Sequence, residues 1–294
     1  MDPATRLEAV APENEEATQA WSGVLFDRFV EFRELITAGL GEFGEVAMRL
    51  HPPRSGDRAL DIGCGFGDTT QALGRLVGPE GRATGVDVSE PFIEAASAEV
   101  RQAGADNVDF MAGDAQVMDL PGPFDYVFSR MGVMFFANPV AALRNIREAM
   151  SQGGQFCAVV WRRKLDNDWV HRAEQVVDRY LEEPEDSEEP TCGPGPFSMA
   201  NADTVSHQLL IAGFEGPTFT RCDVPIKLGT DLDEAVAMNM ALGPAAEVIR
   251  LSGEEAERIR PQLEREIRAA LADFQRPDGV YGPASTWIIT ARAP

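Results

Sequence analysis

The sequence has few basic residues, few histidines, few cysteines and no long apolar run, and each shortage excludes a class of protein. Of its 294 residues, 26 are Lys or Arg and 48 are Asp or Glu, so the formal charge at pH 7 is −22. Such a chain repels nucleic acid unless its basic residues are concentrated on one face. The densest basic cluster, Arg162-Arg163-Lys164, is too small for that purpose. We therefore expect no nucleic-acid partner, although a transfer RNA enzyme with a local basic patch stays open.

The sequence also lacks the patterns of a cysteine-based site, a membrane span and a secretion signal. Cys64, Cys157, Cys192 and Cys222 are scattered, and no pair has the spacing of a zinc site, a redox motif or a disulfide framework. No apolar run is long enough for a membrane span, and the first 20 residues lack the basic and apolar stretches of a secretion signal. We expect a cytoplasmic protein with no metal and no membrane span.

From residue 58 onward, strand-like and helix-like segments alternate in the way that builds a parallel sheet. The predicted strands cover residues 58–62, 82–88, 108–112, 124–129 and 155–161. The predicted helices between them cover residues 69–76, with Asp68 as N-cap, then 91–103 and 139–150. This spacing indicates a doubly wound, Rossmann-like half.

The remainder of the chain has a less regular pattern. It predicts helices over residues 167–181, 203–212, 231–242 and 254–274, and strands over 218–228 and 286–291. Residues 182–196 are acidic and rich in Pro and Gly, which predicts a loop or a lid.

A glycine-rich turn, LDIGCGFGD over residues 60–68, lies between the first strand and the first helix. Glycines there let a ligand approach the backbone where a Cβ would block it. A dinucleotide-binding fingerprint would need glycines at positions 63, 65 and 68, but here they fall at 63, 65 and 67. Asp61 would weaken binding of a pyrophosphate and favour a cationic amino group. The turn therefore suits a ligand with a cationic amino-acid end and no phosphates.

Acidic residues also end the second and third strands. Asp87 can accept hydrogen bonds from two ribose hydroxyls, which would serve adenosine in many cofactors, NAD included. Asp114 can accept from an adenine amino group, and the alternative is a helix cap or turn former.

In combination, the stretches LDIGCGFG, GVDVS, GDA, FDYVFSRMGVMFF and QGGQF resemble class I methyltransferases that use S-adenosylmethionine (SAM). The sequence is most similar to the ubiquinone and menaquinone biosynthesis group, over about residues 54–161. The resemblance implies an α/β, Rossmann-like sheet of seven mostly parallel strands with an antiparallel last strand. It also implies an N-terminal arm and helices covering the cofactor (residues 1–50). The methyltransferase domain would be residues 51–294, with a helical insertion at 231–280 over the substrate pocket.

The resemblance further assigns contacts to SAM, which is the implied cofactor. The methionine end would contact Asp61, Gly63, Cys64, Gly65 and Gly67. The ribose would contact Asp87 and Val88, and the adenine would contact Gly113, Asp114 and Ala115. Ser129 and Arg130 would lie beside the sulfonium, where the acceptor enters. Trp21 or Phe26 would cover the cofactor, with ordinary packing as the alternative.

Methyl transfer requires alignment of the acceptor and exclusion of water, and a base only if the acceptor arrives protonated. Of the three histidines, His51 and His207 are predicted at the surface, and His171 is the candidate base, with a helix-surface position as its alternative. Arg130 is a candidate to orient an acceptor carboxylate or phenolate, and the alternative is an ion pair with a neighbouring acid.

Apolar residues follow the fourth strand and recur in the predicted cover. Each of these residues could pack in the hydrophobic core, but as a set they favour binding of a hydrophobic acceptor. They are Met131, Met134, Phe135, Phe136, Phe197, Met199, Met238 and Met240.

The fourth strand lacks the NPPY-like ending of enzymes that methylate adenine or glutamine. We therefore predict methyl transfer from SAM to a small, apolar or aromatic molecule, and the oligomeric state is left open. The alternatives are a nicotinamide-dependent oxidoreductase and a SAM-binding protein without catalysis.

Overall fold

The computed structural model describes residues 10–182 and 190–294 of the chain. The helices are α1 (Glu15–Ser22), α2 (Val24–Glu31), α3 (Arg33–Leu50), α4 (Asp68–Val77), α5 (Glu90–Ala103), α6 (Pro139–Glu148), α7 (Asp168–Val177), α8 (Ala202–Ile211), α9 (Leu232–Ala241), α10 (Pro244–Leu251) and α11 (Gly253–Leu271). The strands are β1 (Arg58–Ile62), β2 (Arg82–Asp87), β3 (Val108–Ala112), β4 (Phe124–Arg130), β5 (Met150–Trp161), β6 (Glu215–Gly229), β7 (Gln275–Arg276) and β8 (Gly279–Arg292).

All strands belong to one mixed sheet in the order β3-β2-β1-β4-β5-β8-β6, and β7 pairs with β8 beside this path. Strands β1 to β5 pair in parallel, whereas β8 runs antiparallel to both β5 and β6. The predicted α/β, Rossmann-like class with an antiparallel last strand is therefore confirmed. The sheet has eight strands where seven were predicted, because the two residues of β7 fold back on the start of β8.

The sheet core is apolar because helices cover both of its faces. Helices α4 and α5 pack on β1, β2 and β3, and α3 packs across β5 and β6. Leu60, Val127 and Phe128 are fully buried in the central strands. Helices α9, α10 and α11 pack against one another, in the region predicted as the helical insertion, and α10 and α11 also pack on α7. The sequence did not predict α10, although Pro244 opens it after Gly243.

The strand order reverses beside β1, which has β2 on one side and β4 on the other. Ligands of open α/β sheets bind at the carboxyl edge of such a reversal. Asp61 of β1 lies opposite Phe128 of β4. Arg130 follows two residues later, so the glycine turn and the end of β4 meet at this edge.

Several predicted boundaries were wrong in informative ways. Helix α4 begins at Asp68 and its N-cap is Gly67, with φ of 77°, so Asp68 is not the cap. The last strand begins at Gly279 rather than at residue 286, because its first half pairs with β6 and β7 and not with β5. Strand β2 ends at Asp87, one residue earlier than the predicted end at Val88.

The predicted acidic lid falls partly on residues 183–189, which lie outside the described residues, as do residues 1–9 of the predicted arm.

No helix within residues 10–182 and 190–294 is both long and apolar enough to cross a bilayer. Across the same ranges, no group of three or more His, Cys, Asp or Glu side chains is arranged to hold a metal ion.

Candidate active site

The glycine turn after β1 leaves its backbone accessible at one point and pressed against a neighbour at another. Gly63 and Gly65 have φ of 69° and 53°, a region that side-chain-bearing residues rarely adopt. A Cβ on Gly63 would lie 2.7 Å from the Gly132 Cα, whereas one on Gly65 would have no heavy atom of the described chain within 4 Å. The turn is therefore anchored to the segment after β4 at Gly63 and open above Gly65.

Asp61 lies beneath this turn and is 1% exposed. Its Oδ2 accepts a hydrogen bond of 2.7 Å from the Thr70 hydroxyl, and its Oδ1 is buried with no hydrogen-bond partner in the described residues. Burial raises the pKa of Asp61 from 3.8 to about 7, although the Thr70 hydrogen bond and the nearby Arg130 charge both lower it. A buried carboxylate oxygen without a donor fits a cationic amino group from a ligand. This observation fits the methionine end of SAM.

Arg130 forms the ion pair that the sequence left as its alternative. Its guanidinium contacts both carboxylate oxygens of Asp68, with Nη1–Oδ2 at 2.9 Å and Nη2–Oδ1 at 3.1 Å. The Arg130 side chain is 12% exposed and the Asp68 side chain 31%. Met131, which follows, has φ of 61° although it is not glycine. Strained backbone of this kind marks functional sites.

Ser129 ties the end of β4 to the glycine turn. The fully buried Ser129 hydroxyl donates to the Ile62 carbonyl at 2.8 Å and accepts from the Val133 N–H at 3.2 Å. These bonds occupy the hydroxyl and hold β1 and β4 in register at the site. Cys64 is also buried, and burial raises the pKa of its thiol well above the ordinary value. Neither side chain is therefore presented to a ligand as a reactive group.

Asp87 at the end of β2 faces the same turn. Its Oδ2 accepts from the Gly65 N–H at 2.9 Å and its Oδ1 from the Ser89 N–H at 3.0 Å. Burial raises the pKa of Asp87, and these backbone bonds oppose the rise. Each carboxylate oxygen has a further lone pair, so ribose hydroxyls could be added without breaking either bond.

Asp114, predicted at the adenine edge, is bound by the N-terminal arm. Its Oδ2 accepts from the Ala11 N–H at 3.0 Å and from Asn14 Nδ2 at 2.8 Å. Its Oδ1 accepts from the Gln116 N–H at 2.9 Å, which is the turn-forming bond of the alternative interpretation. Asp114 is 2% exposed, and Gly113 and Ala115 beside it are buried. The adenine role of these residues stays a prediction.

Aromatic side chains join the arm to the glycine turn. Phe26 of α2 lies 6.1 Å from Phe66 of the turn and 5.0 Å from Phe92, between ring centroids. Trp21 lies 4.9 Å from Phe135. Both arm aromatics therefore pack on rings beside the glycine turn or after β4, and their role as a cover for the cofactor stays a prediction.

A second aromatic group lies near Arg130 and was missed in the sequence. Phe43 of α3 is 5.8 Å from Trp161 at the end of β5, and Trp161 is 6.3 Å from Trp169 of α7, between ring centroids. A Cβ on Gly44, next to Phe43, would lie 3.3 Å from Arg130 Cδ. No local pattern marks these three residues, because three separate elements supply them.

His171 lies on α7, and the described contacts do not join it to Asp61, Asp87 or Arg130. Its side chain is half-buried, and its Nδ1 is buried with no hydrogen-bond partner within the described ranges. The predicted apolar set is mostly packed: Met131, Met134, Met199, Met238 and Met240 are buried, and Phe135, Phe136 and Phe197 are partly buried.

Comparisons with known proteins show the family to which this chain belongs. A family model described as a methyltransferase domain matches residues 53–212. Demethylmenaquinone methyltransferase from Staphylococcus aureus is 38% identical over 104 residues, which cover 34% of this chain and 42% of that protein. The chain thus matches less than half the length of these curated relatives.

Solved structures show a similar fold. YcgJ from Bacillus subtilis aligns with a TM-score of 0.54 and 17% identity, over 86% of this chain and 97% of that one. Phosphoethanolamine N-methyltransferase 2 from Haemonchus contortus, solved with phosphomonomethylethanolamine and S-adenosylhomocysteine, aligns with a TM-score of 0.56 and 15% identity, over 97% of this chain and 61% of that one. At these identities the likeness shows the fold alone. Together with the family model, it confirms the predicted resemblance.

Proposed function

This chain belongs to the methyltransferase domain family, and from that premise we propose that it transfers the methyl group of SAM to a small acceptor with an apolar or aromatic surface. The predicted cofactor, SAM, is the cofactor of its family. The acceptor and the residues that contact either ligand are the proposal.

The unpaired Oδ1 of Asp61 carries the proposal. A buried carboxylate costs several kcal/mol unless it gains a partner, so this position favours a ligand with a cationic group. Gly65 lies in the turn that follows Asp61, and the open space above it would admit a ligand to the backbone. A pyrophosphate there would be repelled by Asp61, which argues against the nicotinamide-dependent alternative.

When bound, SAM supplies a sulfonium methyl group, whose bond to sulfur breaks, with its electron pair passing to sulfur, as the acceptor's lone pair bonds to the carbon. The protein has to hold both partners in line and exclude water. Asp61 and Asp87 would anchor the two ends of the cofactor, and the aromatic cover at Phe26 and Phe66 would exclude water from the mouth.

The acceptor would lie near Phe43, Trp161 and Trp169, a group that reaches Arg130 through Gly44. This wall is apolar, and the indole N–H of Trp169 is buried without an acceptor in the described chain. Flat apolar molecules that carry an oxygen suit such a surface. The S. aureus relatives are named for demethylmenaquinone, a quinone, which supports the same class of acceptor.

For an acceptor that arrives protonated, we propose His171 as the base. It is the histidine on α7, the helix that also carries Trp169. Its unpaired Nδ1 supports this role. An acceptor that is methylated at a quinone-like carbon or at a neutral amine would lose its proton by a different route. The role of His171 as the base therefore depends on the acceptor.

The test is formation of S-adenosylhomocysteine, measured by mass spectrometry, when the protein is incubated with SAM and a panel of acceptors. The panel should contain hydroxylated quinones, phenols, small amines and thiols, with Asp61→Asn as the matched inactive control. We expect turnover with an aromatic acceptor that is absent in the control. Thermal stabilisation by NAD or NADP and not by SAM would overturn the cofactor assignment. Tight SAM binding with no product across the panel would favour a binding protein without catalysis.

A further inference from the structure

The first half of β8 reaches past the end of β5. Residues 286–292 pair with β5, which ends at Trp161, whereas residues 280–285 lie beyond that pairing and pair with β6. Because β8 runs antiparallel to β5, its first half lies past the carboxyl ends of the parallel strands. We call this part of the sheet the β6–β8 extension (residues 223–229 and 280–285). It stands at the carboxyl edge, where Arg130 ends β4.

Trp169 of α7 and helix α3 pack on one face of this extension. Gly282 lies directly opposite Ile226 in the register, so the two positions point to the same face. A Cβ on Gly282 would lie 2.5 Å from the Trp169 Cβ, and one on Gly39 of α3 would lie 2.6 Å from Ile226 Cγ1. Glycine at both positions lets the indole and the helix lie close to the strands. Trp169 therefore lies on the side of the extension that faces α3.

The indole of Trp169 continues the aromatic group near Arg130. Its ring centroid is 6.3 Å from that of Trp161, and the centroids of Trp161 and Phe43 are 5.8 Å apart. Phe43 precedes Gly44, where a Cβ would lie 3.3 Å from Arg130 Cδ. A continuous chain of contacts thus joins Trp169 to the end of β4, and a molecule bound against this group would meet the indole.

The indole N–H is the only polar group of the Trp169 side chain, and it has no acceptor. Trp169 is 7% exposed, and its Nε1 has no hydrogen-bond partner among residues 10–182 and 190–294. Trp287 of β8 shows the usual arrangement, since its Nε1 donates to the Ala200 carbonyl at 3.0 Å. A buried donor without a partner carries its full desolvation cost, which an oxygen atom of a ligand would offset.

The chemistry of an indole restricts what this ligand atom can be. An indole N–H donates and does not accept, so its partner needs a lone pair, which an ammonium group and a hydrocarbon lack. A hydrogen bond donated to the attacking atom of a methyl acceptor would withdraw electron density from that atom and slow its attack. The atom that Trp169 binds should therefore be separate from the atom that receives the methyl group.

Resting on the proposed function, we infer that the Trp169 indole N–H donates a hydrogen bond to a carbonyl oxygen of the methyl acceptor. The acceptor is then an aromatic or conjugated ketone or a quinone that carries its nucleophilic atom at a second position. Trp169 would determine specificity, because a hydrocarbon of the same shape leaves the buried donor unpaired.

The experiment compares 1-tetralone, a bicyclic aromatic ketone, with tetralin, which has the same two rings and no oxygen. Both are titrated into the full chain, with and without S-adenosylhomocysteine, and the indole N–H signals of isotope-labelled tryptophan are followed by NMR. The chain has four tryptophans, so single Trp→Phe variants assign the four indole signals. We expect 1-tetralone to move the Trp169 signal downfield, as a new hydrogen bond does, and tetralin to leave out this shift.

Two matched variants separate the hydrogen bond from the packing of the rings. Trp169→Phe keeps an aromatic ring and removes the N–H, so the ratio of the 1-tetralone affinity to the tetralin affinity should fall by roughly tenfold. Trp161→Phe shortens a neighbouring ring of the same group and should weaken both probes alike, which leaves the ratio unchanged. Both variants should bind S-adenosylhomocysteine as the unaltered protein does.

Four results would overturn the inference. They are no binding of 1-tetralone, a Trp169 signal that 1-tetralone does not move, an unchanged affinity ratio in Trp169→Phe, and a ratio that falls in Trp161→Phe instead. If Trp169→Phe does not fold, the Trp169 signal of the unaltered protein, identified from the other three variants, decides. Failure of the unaltered protein to bind S-adenosylhomocysteine would overturn the proposed function, whereas the carbonyl site is judged separately from the titrations without that ligand.

Discussion

Asparagine in place of Asp61 should stabilise the ligand-free protein at pH 8 while it removes cofactor binding. The substitution keeps the shape of the side chain and its acceptor for the Thr70 hydroxyl. It removes a buried negative charge, one of whose two carboxylate oxygens, Oδ1, has no hydrogen-bond partner in the described residues of the ligand-free protein. A site built to receive a cation should therefore be strained when the cation is absent.

The size of the effect follows from the pKa of Asp61, which burial raises from 3.8 to about 7. At about 1.4 kcal/mol per pKa unit, this rise corresponds to ~4 kcal/mol of destabilisation above pH 7. The Asn amide would bring a buried N–H donor without a partner, which costs about 1–3 kcal/mol. A net gain of roughly 1–3 kcal/mol in the free energy of unfolding remains at pH 8.

The sign depends on pH. Because the folded pKa lies above the unfolded one, the native state binds more protons than the unfolded state between pH 3.8 and about 7. The contribution of Asp61 to the free energy of unfolding therefore falls progressively as pH rises through that window. The stability difference between variant and parent should grow from pH 4 to pH 8 and then level off. Arg130 favours ionisation of Asp61, and Asp68 and Asp87 oppose it.

Urea unfolding at pH 4.5, 6 and 8, with and without S-adenosylhomocysteine, measures this directly. The parent should bind S-adenosylhomocysteine more tightly as pH rises from 6 to 7.5, since the ionised carboxylate is the binding form. Asp61→Asn should show weak binding at every pH. A variant that is less stable than the parent at pH 8, or that keeps its affinity, would refute the reasoning.

Three other substitutions test separate parts of the site. Asp87→Ala should weaken S-adenosylhomocysteine binding by roughly 2–4 kcal/mol in calorimetry because two charge-assisted bonds are lost, and unchanged affinity would remove Asp87 from the site. His171→Ala should lower turnover of a phenolic acceptor without altering cofactor affinity, and full turnover would eliminate it as the base. Asn14→Ala, which removes a bond to buried Asp114, should speed hydrogen exchange in α1 and cost about 1–3 kcal/mol of stability. Exchange at the parent's rate would show that the arm is held elsewhere.

The central strands could be predicted from the sequence because their residue pattern is local. Strands β1 and β3 match their predicted bounds, and the start of β2 and of β4 also match. Both faces of these strands are buried, so they appear as short apolar runs between turn residues. The spacing of Gly63, Gly65 and Gly67 behind Asp61 is likewise a local pattern, and all three adopt positive φ.

Predictions failed where a partner distant in the sequence decides the structure. The length of β8 depends on β6, more than fifty residues earlier in the chain. Asp68 has the residue type of an N-cap, but the left-handed Gly67 takes that position and Asp68 pairs with Arg130 instead. The docking of the arm on Asp114 has no sequence signal, because it joins residues about a hundred positions apart.

The sequence by itself determined the class of sheet, the glycine turn and the acidic strand ends, because each strand, helix and turn is specified by residues close to one another in the chain. Only the tertiary structure decided which charges meet. It left Asp61 with an unpaired oxygen, fixed Arg130 between Asp68 and α3, and placed Phe43 beside Trp161. These relations depend on how separate elements pack, and the distances that set electrostatic and aromatic contacts exist only after the chain has folded.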